Sequence, residues 1–174
     1  MELLWKEDIR QYNLLDWSCH PWWGKTIFDY FVDWDPEALK HCNDDGDNIE
    51  FIYTTVNQHV RFDFALEAGL RHYPEELGLL FRKDDDGDAA SELAIQVFGK
   101  DESWKVIEKC LDETRDKEKI TEMNPVMNLY PFMLAAAGDK NVLNMIYYLL
   151  RRNSDCISQL EGLDCSAGSR KRTH

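Results

Sequence analysis

The stretch Asn128–Arg152, NLYPFMLAAAGDKNVLNMIYYLLRR, decides how the chain is to be read. Asparagine tolerates left-handed backbone geometry, and a proline such as Pro131 suits the first position of a helix. The alanine-rich run that follows makes a short helix whose small side chains admit a close neighbour. Gly138-Asp139-Lys140-Asn141 breaks it, and Leu143, Ile146, Tyr147 and Leu150 then recur on one helical face. Two helices joined by a tight break leave one apolar face uncovered, and stacking against a second such unit covers it. Burying one Leu or Ile in that way contributes about 1.5–3 kcal/mol.

Similar units precede it. Leu93, Ala94, Val97 and Phe98 form a short apolar face closed by Gly99, and Trp104, Ile107, Cys110 and Leu111 form the face of the next helix. The polar run Asp112–Asn124 reads as a solvated loop or frayed helix extension. Further back, Val60, Phe64 and Ala68 fall at four-residue steps in a helix running from His59 to Leu70, and Pro74 opens a helix PEELGLLF. Ile49–Val56 is β-branched and aromatic, consistent with a short strand or extended finger. In the first 34 residues, Leu3, Leu4, Trp5, Ile9, Tyr12 and Leu15 trace a helical stripe that Pro21 ends. A second helix after Gly24 carries Ile27, Phe28, Phe31 and Val32 on one face, and Asp35-Pro36 reads as a cap and restart.

Gly46, Gly87 and Asn128 recur at 41-residue steps, each before an apolar helical segment. These residue types share tolerance of positive φ. A second framing aligns Phe64–Gly69 with Met133–Gly138, which shortens the first interval. Periods of this size mark stacked helical repeats. The segment Asn128-x-Tyr130-Pro131-Phe132-Met133-Leu134-Ala135-Ala136 resembles the ankyrin signature G-x-T-P-L-H-x-A-A, and Val142–Leu150 resembles its second helix. Asp86-Gly87 with Leu93-Ala94 resembles it more weakly, with Ala89, Ala90 and Glu92 where Thr, Pro and His would stand. The likeness to degenerate ankyrin-type repeat proteins covers residues 124–153 best and 58–112 less well. It implies a helical solenoid that binds another protein through its concave face and turns. Tyr130 stands in the signature threonine position, and the interval exceeds the ankyrin ~33, so HEAT-type hairpins at ~40–47 stay open as the alternative.

Composition bounds the function classes. Asp and Glu number 33 against 20 Lys and Arg, a net charge of −13. A field of that sign repels phosphate backbones and anionic membranes, so neither nucleic acid nor membrane is an expected partner; another protein is, and the charge fits a basic partner or simple solubility. Five cysteines, Cys19, Cys42, Cys110, Cys156 and Cys165, show no C-x-x-C spacing, which suits a reducing compartment. The charged N-terminus has no signal-like apolar core, so a cytoplasmic or nuclear location is expected. Ser169-Arg170-Lys171-Arg172 carries too few basic residues to weigh as a localisation signal.

The near-misses for chemistry fail on stated grounds. Gly24-Lys25-Thr26 ends like a phosphate-binding loop, but Cys19 stands where its first glycine belongs and Pro21 removes a backbone N–H. Centring EF-hand loops on Gly46 and Gly87 puts His41 and Ile52, or Arg82 and Leu93, at the end positions that need carboxylates. Cys19-His20 and His41-Cys42 are adjacent pairs, a poor spacing for zinc. His59 and His72 stand near the two ends of one helical segment. No catalytic residue, cofactor or metal is therefore expected.

The expected architecture is an all-α, short helical-repeat solenoid: an aromatic-rich helical cap at 1–42, degenerate ankyrin-like repeats at 43–160 and a flexible tail at 161–174. The expected function is a non-enzymatic protein-interaction module, with an acidic decoy occupying a basic site as the alternative and an unrecognised enzyme as the third reading. The candidate contacts are the turn residues Asp44, Asp45, Asp47, Asp84, Asp85, Asp86, Asp88, Asp139, Lys140 and Asn141, together with Trp22 and Trp23. The group Trp17, Trp22, Trp23, Tyr30 and Trp34 is expected to seal the first unit as a buried cap. Its alternative role is an exposed recognition patch, since Trp and Tyr are enriched at binding hot spots.

Overall fold

The computed structural model describes residues 4–19, 22–40, 62–83, 89–114, 118–124, 128–137 and 143–152. Among these residues the chain is all-helical, without a strand; an isolated antiparallel bridge joins Lys83 to Ala89. The helices are α1 (Lys6–Gln11), α2 (Leu14–Ser18), α3 (Lys25–Trp34), α4 (Phe62–His72), α5 (Ala90–Phe98), α6 (Lys100–Glu113), α7 (Pro131–Ala137) and α8 (Leu143–Arg152), with 3-10 turns at Pro36–Lys40, Pro74–Leu79 and Lys119–Thr121. The extended finger at Ile49–Val56, the clusters around Gly46 and Gly87, and the tail lie outside the described residues.

The middle of the fold is α4 crossed by the Pro74–Leu79 turn. The expected PEELGLLF helix is not regular. Leu77, Gly78 and Leu79 take left-handed φ values of 48°, 66° and 68°, which breaks the segment after one turn. The reason lies in the helix beneath. A Cβ on Gly69 of α4 would stand 2.5 Å from the Gly78 carbonyl oxygen, and one on Gly78 would stand 2.9 Å from the Leu70 nitrogen. The reversed backbone turns Leu77, Leu79 and Leu80 into full burial. Left-handed geometry costs a non-glycine residue about 1–2 kcal/mol, whereas each buried leucine contributes about 1.5–3 kcal/mol, so burial wins.

The hairpin α5–α6 turns at Gly99, whose φ is +83°. Its corner is held by the buried Ser103 hydroxyl, which lies 2.7 Å from the Ala94 carbonyl and 2.8 Å from that of Gly99. The hairpin α7–α8 is entered through Asn128 at φ +55°, in keeping with the left-handed tolerance read for that position. Pro131 opens α7 and is buried, as is Leu149, while Tyr130, Phe132 and Leu150 are half-buried. Between α6 and α7 the polar run is no simple solvated loop. Ile120 is wholly buried against the Pro74–Leu79 turn, and the buried Asn124 donates its side-chain amide to the Glu75 carbonyl at 3.3 Å. Helix α6 packs on both α4 and α8, whereas α7 packs on the Pro74–Leu79 turn.

One hydrophobic core runs from Ile9 to Leu149 and includes Phe28, Phe62, Leu66, Ala94, Ile107, Cys110 and Leu111. The N-terminal stripe reaches it only in part. The chain breaks at Asn13, φ +49°, so Ile9 and Leu15 turn inward while Leu4, Trp5 and Tyr12 stay at the surface. The Asp35 carboxylate, read as a helix cap, is instead buried beneath Arg10 Nε at 2.6 Å.

The Gly69–Gly78 crossing is open to test. Gly69→Ala is expected to lower unfolding stability by about 1–3 kcal/mol through overpacking. Gly24→Ala, with nothing within 4 Å of its added Cβ, should stay within about 0.5 kcal/mol of wild type. Urea denaturation of the two variants checks both.

Candidate interaction surface

Helix α3 divides its residues among three faces. Phe28 and Val32 point into the core at zero exposure, with Phe31 packed beside them. Lys25, Asp29 and Asp33, at four-residue steps, face Glu67, Arg71 and His72 of α4. Lys25 Nζ lies 2.8 Å from Asp29 and 3.2 Å from Glu67, Arg71 lies 3.2 Å from Asp29 and 3.0 Å from Asp33, and the His72 ring lies 3.0 Å from Asp33. Burial alone would lower the Lys25 pKa, but the hydrogen bonds and charges of Asp29 and Glu67 hold it above the usual lysine range. The hydrogen bond and charge of Asp35 likewise raise Arg10, outweighing its desolvation.

The third face is aromatic and points to solvent. At 100° per residue, Ile27, Tyr30 and Trp34 share a sector of roughly 60° on the side away from Phe28 and Val32. The Tyr30 and Trp34 rings lie 6.0 Å apart, and Trp22 and Trp23 lead into the helix through Gly24. The expectation of a buried aromatic cap is overturned here. Trp17 is 68% exposed, Trp22 88%, Trp23 45%, Tyr30 56% and Trp34 41%. The core of this segment is filled instead by Ile9, Leu15, Phe28 and Val32, and the larger rings stand outside.

Of the candidate contacts, Trp22 and Trp23 therefore stand at one end of an exposed aromatic edge. Asp44, Asp45, Asp47, Asp84, Asp85, Asp86, Asp88, Asp139, Lys140 and Asn141 lie outside the described residues. The ion-paired ladder between α3 and α4 was not singled out from sequence, although charges four apart at 25, 29 and 33, and at 67 and 71, are a readable helical signal.

A second aromatic surface lies on α8. Leu143 and Tyr147 are exposed on it, and Tyr147 lines a groove of about 680 Å³ with Trp104, Glu108, Asn144, Tyr148, Arg151 and Arg152. Trp104 meets Tyr148 edge to face at 5.6 Å, and Asp112 receives both the Tyr148 hydroxyl and the Arg152 guanidinium. Burial and the Asp112 hydrogen bond push the Tyr148 phenol well above its ordinary range.

A charged cleft of about 600 Å³ opens where α3, α4 and α6 meet, lined by Asp33, Glu67, Leu70, Arg71, Cys110, Glu113 and Thr114. Its thiol is not poised for attack. Burial, reinforced by the charges of Glu67 and Asp63, pushes Cys110 up to about 12. The thiolate is the reacting form. Among the described residues no three His, Cys, Asp or Glu side chains come together as a metal-ligand group, and no helix is long and apolar enough to cross a membrane.

Because the folded thiol titrates above its unfolded counterpart, its contribution to stability is present below pH ~9 and is lost as the pH climbs toward 12. At pH 8 the native thiolate fraction is lower than the unfolded one by roughly a thousandfold. Cys110 is accordingly expected to resist a thiol-exchange reagent in native buffer and to react fully in urea, as read by mass spectrometry of the labelled peptides. No family model, curated protein or solved structure matches the chain.

Proposed function

We propose that the chain is a non-enzymatic protein-interaction module built of degenerate ankyrin-like helical repeats. The observation that carries this reading is the aromatic edge of α3: Trp22, Trp23, Tyr30 and Trp34 are left in water although the core beside them is filled. Large aromatic rings each bury ~150–250 Å² when covered, and they dominate the energetics of interfaces. Support for the repeat architecture comes from the successive hairpins α5–α6 and α7–α8 and from the packing of α8 on α6. The sequence clusters Asp44–Asp47, Asp84–Asp88 and Asp139–Asn141 belong to the same proposed contact set on grounds of their charge and turn-forming composition.

The net charge of −13 favours one second reading, an acidic decoy for a basic site on another protein. Salt separates the two. A decoy held by exposed charges loses most of its affinity between low and moderate ionic strength, whereas a packed aromatic interface does not.

Proteins retained by the immobilised wild-type chain are expected to lose at least about thirtyfold in affinity when Trp22 and Trp23 are both changed to Ala, the size of a hot-spot loss. Changing Asp84, Asp85 and Asp86 to Ser should weaken capture further. Undiminished capture by both variants, with unchanged circular dichroism, would overturn the proposal.

A further inference from the structure

We infer that the exposed edge of α3 reads arginine side chains on an extended segment of the partner. The inference rests on the interaction reading above and narrows it to one chemistry. On α3 itself the aromatic face is Tyr30 and Trp34 beside Ile27, and the exposed Trp22 and Trp23 stand just before its first turn. A ten-residue helix is roughly 15 Å long, which matches four or five residues of extended chain.

Charge selects the occupant. Four cations on the elements around this edge are already engaged: Lys25 with Asp29 and Glu67, Arg71 with Asp29 and Asp33, Arg10 with Asp35, and Lys40 with Glu76, while Lys6 of α1 stands exposed. In the ladder between α3 and α4 two permanent cations, Lys25 and Arg71, face three carboxylates, Asp29, Asp33 and Glu67, with His72 beside Asp33. Asp33, one residue before Trp34, keeps a side chain that is 58% exposed. An incoming cation therefore meets aromatic faces bordered by uncompensated negative charge, within a chain whose net charge is −13.

The rings favour arginine over lysine. A guanidinium is planar and weakly hydrated, so it stacks on an indole or phenol while its edge donates hydrogen bonds to a carboxylate; an ammonium is a compact, strongly hydrated point charge. The chain itself seats cations on its rings elsewhere, with Lys40 3.8 Å from the Tyr73 ring centre and Arg152 4.6 Å from that of Tyr148. A phosphate-bearing ligand would be repelled by the same charge that draws arginine in.

The test titrates the full chain, at physiological salt, with a peptide alternating glycine and arginine, its lysine counterpart and a neutral leucine counterpart, followed through the indole N–H resonances. The arginine peptide is expected to shift the indoles of Trp22, Trp23 and Trp34 but not that of Trp104, and to bind at least about fivefold tighter than the lysine peptide. Trp34→Ala, and independently Tyr30→Ala, should each weaken it by about fivefold, with unchanged circular dichroism. Equal affinity for the arginine and lysine peptides, or binding that neither variant weakens, would show bulk charge attraction and overturn the inference. Shifts of the same indoles by the leucine peptide alone would also overturn it while leaving the interaction reading standing. If neither these peptides nor any captured protein perturbs the indoles, both readings fall.

Discussion

The close approach of Gly69 to Gly78 is the constraint on which the rest of the fold depends. With no side chain at either position, the backbone of the Pro74–Leu79 turn lies directly on α4. The turn must then reverse through successive left-handed residues, and that reversal drives Leu77, Leu79 and Leu80 inward. Three other elements are positioned from the same turn: Ile120 and the Lys119–Thr121 segment pack against it, Asn124 donates to its Glu75 carbonyl, and α7 rests on it. The Tyr73 ring at its start carries Lys40 on its face and donates its hydroxyl to Glu37 at 2.9 Å, which ties the N-terminal segment to the same place. Desolvation, followed by the Glu37 hydrogen bond, holds that phenol protonated well past its ordinary range.

The N-terminal segment answers to burial first and to charge second. Phe28 and Val32 anchor α3, because each fully buried apolar side chain contributes about 1.5–3 kcal/mol. The ion pairs toward α4 are partly exposed and worth about 0–1 kcal/mol each, so they set the rotation of α3 about its axis more than they hold it down. With both of those faces committed, Tyr30 and Trp34 on the remaining face stay exposed among the described residues. A rigid aromatic edge offers contact area at a small entropic cost on binding.

Much of the helical architecture was legible in advance because helix periodicity is a local property. The apolar faces at Phe28/Val32, Leu93/Ala94 and Ile107/Cys110/Leu111 are the ones the structure buries or packs, and Gly99 and Asn128 mark turns with positive φ; on α8 the face read from Leu143, Ile146, Tyr147 and Leu150 is displaced, with Met145 and Leu149 buried and Leu143 and Tyr147 exposed. Where reading failed, long-range packing had intervened. PEELGLLF has the composition of a helix, and nothing within it announces that Gly78 will meet a glycine in α4. The run Asp112–Asn124 is polar enough to be solvent-borne, yet its single isoleucine is enough to pin it to the core. Asp35 has the makings of a cap, and Arg10, 25 residues away, takes its carboxylate instead.

By itself, then, the sequence determined the helical class, the turns at Gly99 and Asn128, and a net charge of −13, since these follow from neighbours a few residues apart and from summed charge. Which aromatic residues fill the core and which face water was decided only in the tertiary structure. Hydrophobicity says that a ring gains by burial; it does not say whether space remains once smaller side chains have packed. Ile9, Leu15, Phe28 and Val32 fill that space, and the indoles of Trp22, Trp23 and Trp34 are left outside.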